Sequence, residues 1–251
     1  WQAFSGQAAG GASRRGFLAS SLSLVAAPAV MASSASRREA KKSLEAGKLT
    51  KHDLATPAIL LDLDGFEQNV AKMAAYVKGA RRTLRPHAKT HKCPEIARAQ
   101  MRAGASGICV ATLHELEVLA AHDIRGLLIT SELVGKPKLQ RLMKLAAAHR
   151  DLMVVTDNVE GATELSEAAV AGRLDLNVLI DLRVGGRTGI SPGPPAVELV
   201  QQIVRLPRLK FKGIQAYAGQ ASHAVGFEKR REASAGVKTP AVATRPQLEK
   251  A

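Results

Sequence analysis

Aromatic residues are scarce in this chain. One Trp, two Tyr and five Phe make up 3% of 251 residues. Any core must therefore be built from Ala, Leu, Val and Ile, and the aromatic interleaving expected of a base-stacking surface is missing. Cysteine is nearly absent too, with only Cys93 and Cys109. No Cys/His spacing reads as a zinc site. A disulfide is not suggested either, because Cys93 precedes an expected helix and Cys109 falls in the next expected strand. Low-complexity tracts are lacking in the body of the chain, which excludes a disordered or fibrous protein. Acidic residues are missing before Glu39.

What is present is an aliphatic, basic composition. Hydrophobic residues reach 46%, and 36 Lys and Arg against 22 Asp and Glu give a formal net charge of +14. The basic residues are spread over many segments, with short clusters at 37–42, 81–92 and 229–231. That spread reads as a basic solvated surface rather than a nucleic-acid footprint, and it attracts anionic metabolites or a phosphate-bearing cofactor.

The acid-free N-terminus reads as an address. Ser13-Arg14-Arg15-Gly16-Phe17-Leu18-Ala19 followed by an apolar stretch to Ala32 fits a twin-arginine export signal, with Ala32 and Ala35 as cleavage positions. Residues 1–35 are thus expected to be a signal peptide and 36–56 a basic connector. A periplasmic location follows, with membrane contact only during export. The chain opens on Trp1 rather than Met, so its natural start is expected to lie elsewhere.

From residue 57 a regular βα alternation begins. Continuous apolar runs at 58–63, 83–89, 107–111, 126–130, 152–156, 176–182 and 211–217 read as buried parallel strands. Helical spacing or capping signals follow each one: Asp64 with Glu67, Pro94, the Thr112-x-x-Glu115 box, 136–149, Asp157-x-x-Glu160, 195–205 and 227–236. Seven βα units predict a parallel (β/α)8 TIM-type barrel over 57–251, with an open doubly wound sheet as the alternative. An eighth strand has no place before Ala251. The barrel is therefore expected to be incomplete, with exposed sheet edges, aggregation or weak cofactor binding unless more chain follows.

The most informative run is Arg85-Pro86-His87-Ala88-Lys89-Thr90-His91-Lys92. It sits where an expected strand ends, and the carboxyl ends of barrel strands are where such folds carry their chemistry. Cationic neighbours favour the neutral form of an amine, the form a Schiff-base nucleophile requires. His87 lies two residues from Lys89 and so shares its strand face. His87 and His91 are the acid/base candidates, with a structural histidine as the alternative for either.

Pro-His-Ala-Lys-Thr-His-Lys resembles the cofactor-lysine segment of the D-threonine aldolase and D-serine dehydratase family, enzymes of pyridoxal 5'-phosphate (PLP) with an alanine-racemase-like N-terminal barrel. Thr-Pro-Ala-Ile-Leu-Leu-Asp-Leu-Asp at 56–64 resembles its first βα unit. The resemblance spans roughly 55–235 and implies that Lys89 carries PLP as an internal aldimine, with Lys92 as a neighbour. Arg187, in Arg-Thr-Gly, resembles the family's arginine near the cofactor ring and would meet its phenolic oxygen or a substrate carboxylate; Arg183 suits a rim ion pair equally well. Tyr217 resembles a tyrosine beside the pyridine ring. Gln220, where many relatives have histidine, is implied as a further cofactor-binding residue with a weaker polar role, and His223 is a supporting or helix-start residue. Thr112, His114, Thr130, Ser131 and Glu132 follow strands three and four and could line the pocket mouth, although capping accounts for Thr112.

The resemblance further implies a divalent metal site in a C-terminal β-domain outside this chain, no metal ligands within it, and a homodimer at full length. The implied activity is retro-aldol cleavage of a D-3-hydroxy-amino acid to glycine and an aldehyde. D-serine dehydration, racemisation or non-catalytic PLP binding are the alternatives. A small D-amino acid, not a nucleic acid, is the expected partner.

Overall fold

Five of the expected apolar runs pair into one parallel sheet: β1 (Ile108–Val110), β2 (Leu127–Ile129), β3 (Met153–Thr156), β4 (Leu176–Leu182) and β5 (Leu209–Ala216). The computed structural model describes Gly47 and residues 50–250. The twin-arginine segment and its cleavage positions lie outside these residues. The strand order is β1-β2-β3-β4-β5 with every pairing parallel. A doubly wound sheet would reverse order at a switch point. Sequential order with a helix after each strand is instead the arc of a (β/α) barrel.

The chain divides into two units, 1–83 with 93–104, and 84–92 with 105–251. In the described part of the first, α1 (Leu63–Gly79) and α2 (Pro94–Arg102) are the helices. Asp62 caps α1 by accepting from the Asp64 and Gly65 N–H groups at 3.1 and 3.2 Å, two residues before the expected acidic start. The strand expected at 58–63 is not one. Residues 58–62 carry no regular secondary structure and no pairing among the described residues, Leu63 already opens α1, and Ile59 and Leu60 are 83% and 61% exposed. An apolar run signals burial or extension alike, and periodicity alone does not separate them.

The second unit contains the sheet, with α3 (Leu113–Ala121), α4 (Lys136–Ala148), α5 (Val159–Ala171), α6 (Pro194–Arg205) and α7 (Phe227–Leu248). Each of α3 to α6 offers one aliphatic face. Leu116, Leu142, Leu165 and Ile203 are buried together with Ile108, Ile129, Val178 and Ile180 of the strands. The Thr112 hydroxyl accepts from the Glu115 N–H at 3.2 Å, as the expected cap requires, while Glu115 returns to the Ala111 N–H at 2.8 Å. Helix α7 runs well past the expected 236, through Pro240 and Pro246.

The segment 83–89 is likewise not a regular strand, yet it borders β1. Leu84 O and Pro86 O accept from Ser106 N and Cys109 N, and Ala88 N donates to Cys109 O at 2.8 Å. A parallel bridge joins His87 to Cys109. Pro86 has no N–H to give, which interrupts the ladder. The chain then turns through 88–91.

Helix α5 begins one residue later than expected. Asn158, rather than Asp157, is its cap, with Oδ1 accepting from Gly161 N at 2.7 Å. Asn158→Ala is expected to cost about 1 kcal/mol, a fall of about 3 °C in Tm by thermal melting. That shift leaves the Asp157 carboxylate for another purpose.

Candidate active site

The carboxyl ends of β1, β2, β4 and β5 surround a cavity of about 470 Å³, within the range of small-molecule sites. Arg85, His87 and Lys89 all line it, the first two from the stretch bordering β1 and Lys89 from the turn that follows. Arg187 and Tyr217 enter from the loops after β4 and β5. The Lys89 Nζ and the Arg187 guanidinium each lie 5.4 Å from the centroid of the Tyr217 ring, within cation–π range. Aliphatic walls come from Leu128, Leu179, Leu182 and Ile214.

A chain of hydrogen bonds braces this wall. Buried Asp181 accepts from Gln215 Nε2 at 2.8 Å and from the Thr188 hydroxyl at 2.9 Å. Gln215 Nε2 also donates to Thr130 O at 3.2 Å. The Thr130 hydroxyl lies 3.1 Å from His87 Nε2, and His87 Nδ1 accepts the Lys89 backbone N–H at 3.2 Å. Gln215 stands opposite Asp181 because β5 has one extra residue, Lys212, where the register shifts after Val178. A bulge of this kind re-aims the side chains beyond it; without it Ile214 would face Asp181.

The arginine loop hangs from carboxylates. The Gly189 N–H donates to Asp157 Oδ2 at 3.0 Å, and Thr188 is held by Asp181, which fixes the residues after Arg187. Gly185, at the start of the loop, lies against Gln220. A Cβ there would stand 2.6 Å from Gln220 Oε1 and 3.0 Å from Tyr217 O. Gln220 belongs to a short 3₁₀ turn (Gly219–His223), where its Nε2 is 3.4 Å from Val184 O.

The sequence candidates therefore divide. Lys89, His87, Arg187 and Tyr217 share the cavity, and Thr130 joins them. His91, Gln220, Arg183, Ser131, Glu132, Thr112, His114 and His223 do not line it. The His91 N–H closes the turn onto Ala88 O at 3.1 Å. Arg183 donates to the Ser191 hydroxyl at 2.6 Å, exposed His114 faces Glu117, and Lys92 pairs with Glu115 at 3.8 Å. Asp157 reads in the sequence only as a helix start, and Asp181 and Gln215 carry no site motif there. A lone charged residue inside the apolar run 176–182 is the signal that marks Asp181.

The electrostatics follow from burial. Burial holds the His87 imidazole below its ordinary value of 6.5; Lys89 adds to this, as do Arg187 and His91, while Glu115 opposes it. Burial pushes the Cys109 thiol up to about 11, with Arg85 opposing, so the thiol stays protonated and unreactive at neutral pH. Half-buried Glu132 is raised by burial and by the nearby Asp157 and Asp181. Neither cysteine forms a disulfide. Among the described residues no group of three or more His, Cys, Asp or Glu could hold a metal ion, and no helix is long and apolar enough to cross a membrane.

Residues 61–245 match the family model described as alanine racemase, N-terminal domain. The chain is 39% identical to a D-threonine aldolase of Arthrobacter sp over 178 residues, which cover 70% of this chain and 47% of that protein. It is 33% identical to a 3-hydroxy-D-aspartate aldolase of Paracoccus denitrificans (strain Pd 1222), over 73% of this chain and 48% of that one. The chain thus spans about half the length of the curated relatives it matches. Among solved structures, D-threonine aldolase from Filomicrobium marinum superposes with a TM-score of 0.77 at 38% identity, covering 80% of this chain and 54% of that one.

Proposed function

We propose that this chain, which belongs to the alanine racemase N-terminal domain family, is the cofactor-binding barrel portion of a PLP-dependent lyase acting on D-3-hydroxy-amino acids, with aldol cleavage to glycine and an aldehyde as its reaction. The observation that carries this reading is the primary amine of Lys89 and the Arg187 guanidinium converging on the Tyr217 ring at 5.4 Å within one cavity. The aldolases among its relatives support the reaction class.

The residues present fit the ring end of PLP. Lys89 offers the amine for its aldehyde, Tyr217 a flat face for a pyridine, and Arg187 a planar pair of donors for a phenolic oxygen or a substrate carboxylate. PLP bound there supplies an electron sink for the bond broken next to the amino group.

The chain's own side chains do the rest. Leu128, Leu179, Leu182 and Ile214 give the cavity an apolar wall on one side, against which the body of a ring or substrate can pack. Asp181 and Asp157 hold the arginine loop, so Arg187 is set before substrate arrives. The raised Cys109 thiol does not compete as a nucleophile. His91 does not line the cavity, and we assign it no step. Export by the twin-arginine route, assembly as a homodimer and a metal site beyond this chain belong to the same proposal, on the strength of the N-terminal motif and the sequence resemblance.

The test is product analysis of the PLP-loaded protein with D-threonine, D-3-hydroxyaspartate and D-serine. Glycine and an aldehyde are expected from the first. Ammonia and a keto acid from D-serine would instead make it a dehydratase. Bound PLP with no turnover of any D-amino acid would overturn the lyase reading.

A further inference from the structure

The hydrogen bonds around His87 admit one tautomer. The Lys89 backbone N–H points at His87 Nδ1 from 3.2 Å, and a backbone amide only donates, so Nδ1 is the acceptor and has no proton. The Thr130 hydroxyl donates its single proton to Val110 O at 3.1 Å. It can then only accept from His87 Nε2, also 3.1 Å away. Both nitrogens of a neutral, Nε2-protonated ring are thereby satisfied. A protonated ring would set the Nδ1–H against the Lys89 N–H.

Neither nitrogen is left to move a proton at a substrate. What the ring does is join two elements. Through Nδ1 it closes an i to i+2 turn on the Lys89 backbone, much as an Asx side chain does. Through Nε2 it ties that turn to Thr130 at the end of β2, which Gln215 and Asp181 brace from β5 and β4.

We propose that His87 is a positioning residue, a neutral bracket held in its Nε2–H form that fixes the backbone of Lys89, and not the acid or base of the reaction. The charged groups facing the ring are Lys89 and His91 from its own segment, Arg187 from the loop after β4 and Glu115 from α3. Three of these are basic, and burial disfavours the imidazolium as well, which agrees with a neutral bracket. The importance of the bracket for catalysis rests on the reading of Lys89 as the cofactor lysine; the tautomer does not.

The first test is nuclear magnetic resonance of the protein labelled with ¹⁵N in histidine, the His87 signals being assigned by their loss in His87→Asn. Near pH 7, Nδ1 is expected to be pyridine-like and Nε2 proton-bearing. A proton on Nδ1 would overturn the proposal. The second test separates the two bonds. His87→Asn keeps an acceptor where Nδ1 stands, and His87→Gln keeps a donor toward Thr130.

Borohydride trapping of PLP on Lys89, mapped by peptide mass, should slow by about tenfold in His87→Asn, which loses the tie to Thr130, and by about as much in His87→Gln, which loses the acceptor for the Lys89 N–H, as loss of one hydrogen bond predicts. Trapping at the parent rate in either variant would sink the bracket. No trapping on Lys89 in the parent, with the expected tautomer seen, would remove the PLP reading and leave the bracket standing.

Discussion

With Lys89 as the proposed cofactor lysine, Lys89→Ala is expected to lower the proposed lyase turnover by about a thousandfold or more, because no other amine among the described residues lines the cavity to replace it. Lys89 is the lysine on the cavity wall, and it faces Tyr217 at 5.4 Å. Lys92, three residues on, supplies the control. Its side chain is 66% exposed and pairs with Glu115 at 3.8 Å, an exposed contact worth under about 1 kcal/mol. Lys92→Ala should therefore leave turnover within about threefold of the parent. Steady-state rates with D-threonine at saturating PLP check both. Turnover surviving in Lys89→Ala but lost in Lys92→Ala would move the chemistry to the wrong side of the turn and contradict the geometry.

Asp181→Ala is expected to destabilise the fold and loosen the site at once. Asp181 is 4% exposed, and its carboxylate accepts from both Thr188 and Gln215. Removing it takes one of two carboxylate partners from Thr188, leaving Glu132, and leaves the Gln215 amide with Thr130 O alone. The cost is about 2 kcal/mol, or a fall of about 6 °C in Tm. Because Thr188 follows Arg187, the guanidinium loses its fixed position, and turnover should fall by about tenfold beyond any loss of folded protein. Asp181→Asn keeps one acceptor oxygen and should lose roughly half as much stability. A variant that melts with the parent and turns over normally would show that the buried carboxylate braces nothing.

Much of the architecture was legible because parallel strands buried on both faces read as unbroken aliphatic runs. The strand at Leu176–Leu182 coincides with its run, and the other four fall within two residues of theirs. The same signal misread 58–63, where Asp62 caps a helix immediately and no strand pairs with the run. It overextended 83–89, where Pro86 breaks the ladder.

In the site, the shared cavity of His87 and Lys89 matched the expectation although a turn, not strand alternation, brings Lys89 there, and Arg187 and Tyr217 were readable from motif resemblance. The Asp181–Gln215–Thr130 bracing was not. Its members are separated by 34 and 85 residues along the chain, and the pairing of Asp181 with Gln215 depends on a one-residue bulge that no local pattern announces. Asp157 was hidden for a different reason. It precedes Asn158, and either residue is a good helix cap; only the structure shows that Asn158 caps and Asp157 holds the arginine loop.

The most direct test of the central claim is the site of PLP attachment in the natural protein. The cofactor-loaded enzyme is reduced with borohydride, digested and mapped by mass spectrometry. A pyridoxyl group on Lys89, and on no other lysine in appreciable yield, is the predicted result. A label on Lys92 or scattered over the surface lysines, or no label after loading, would contradict it.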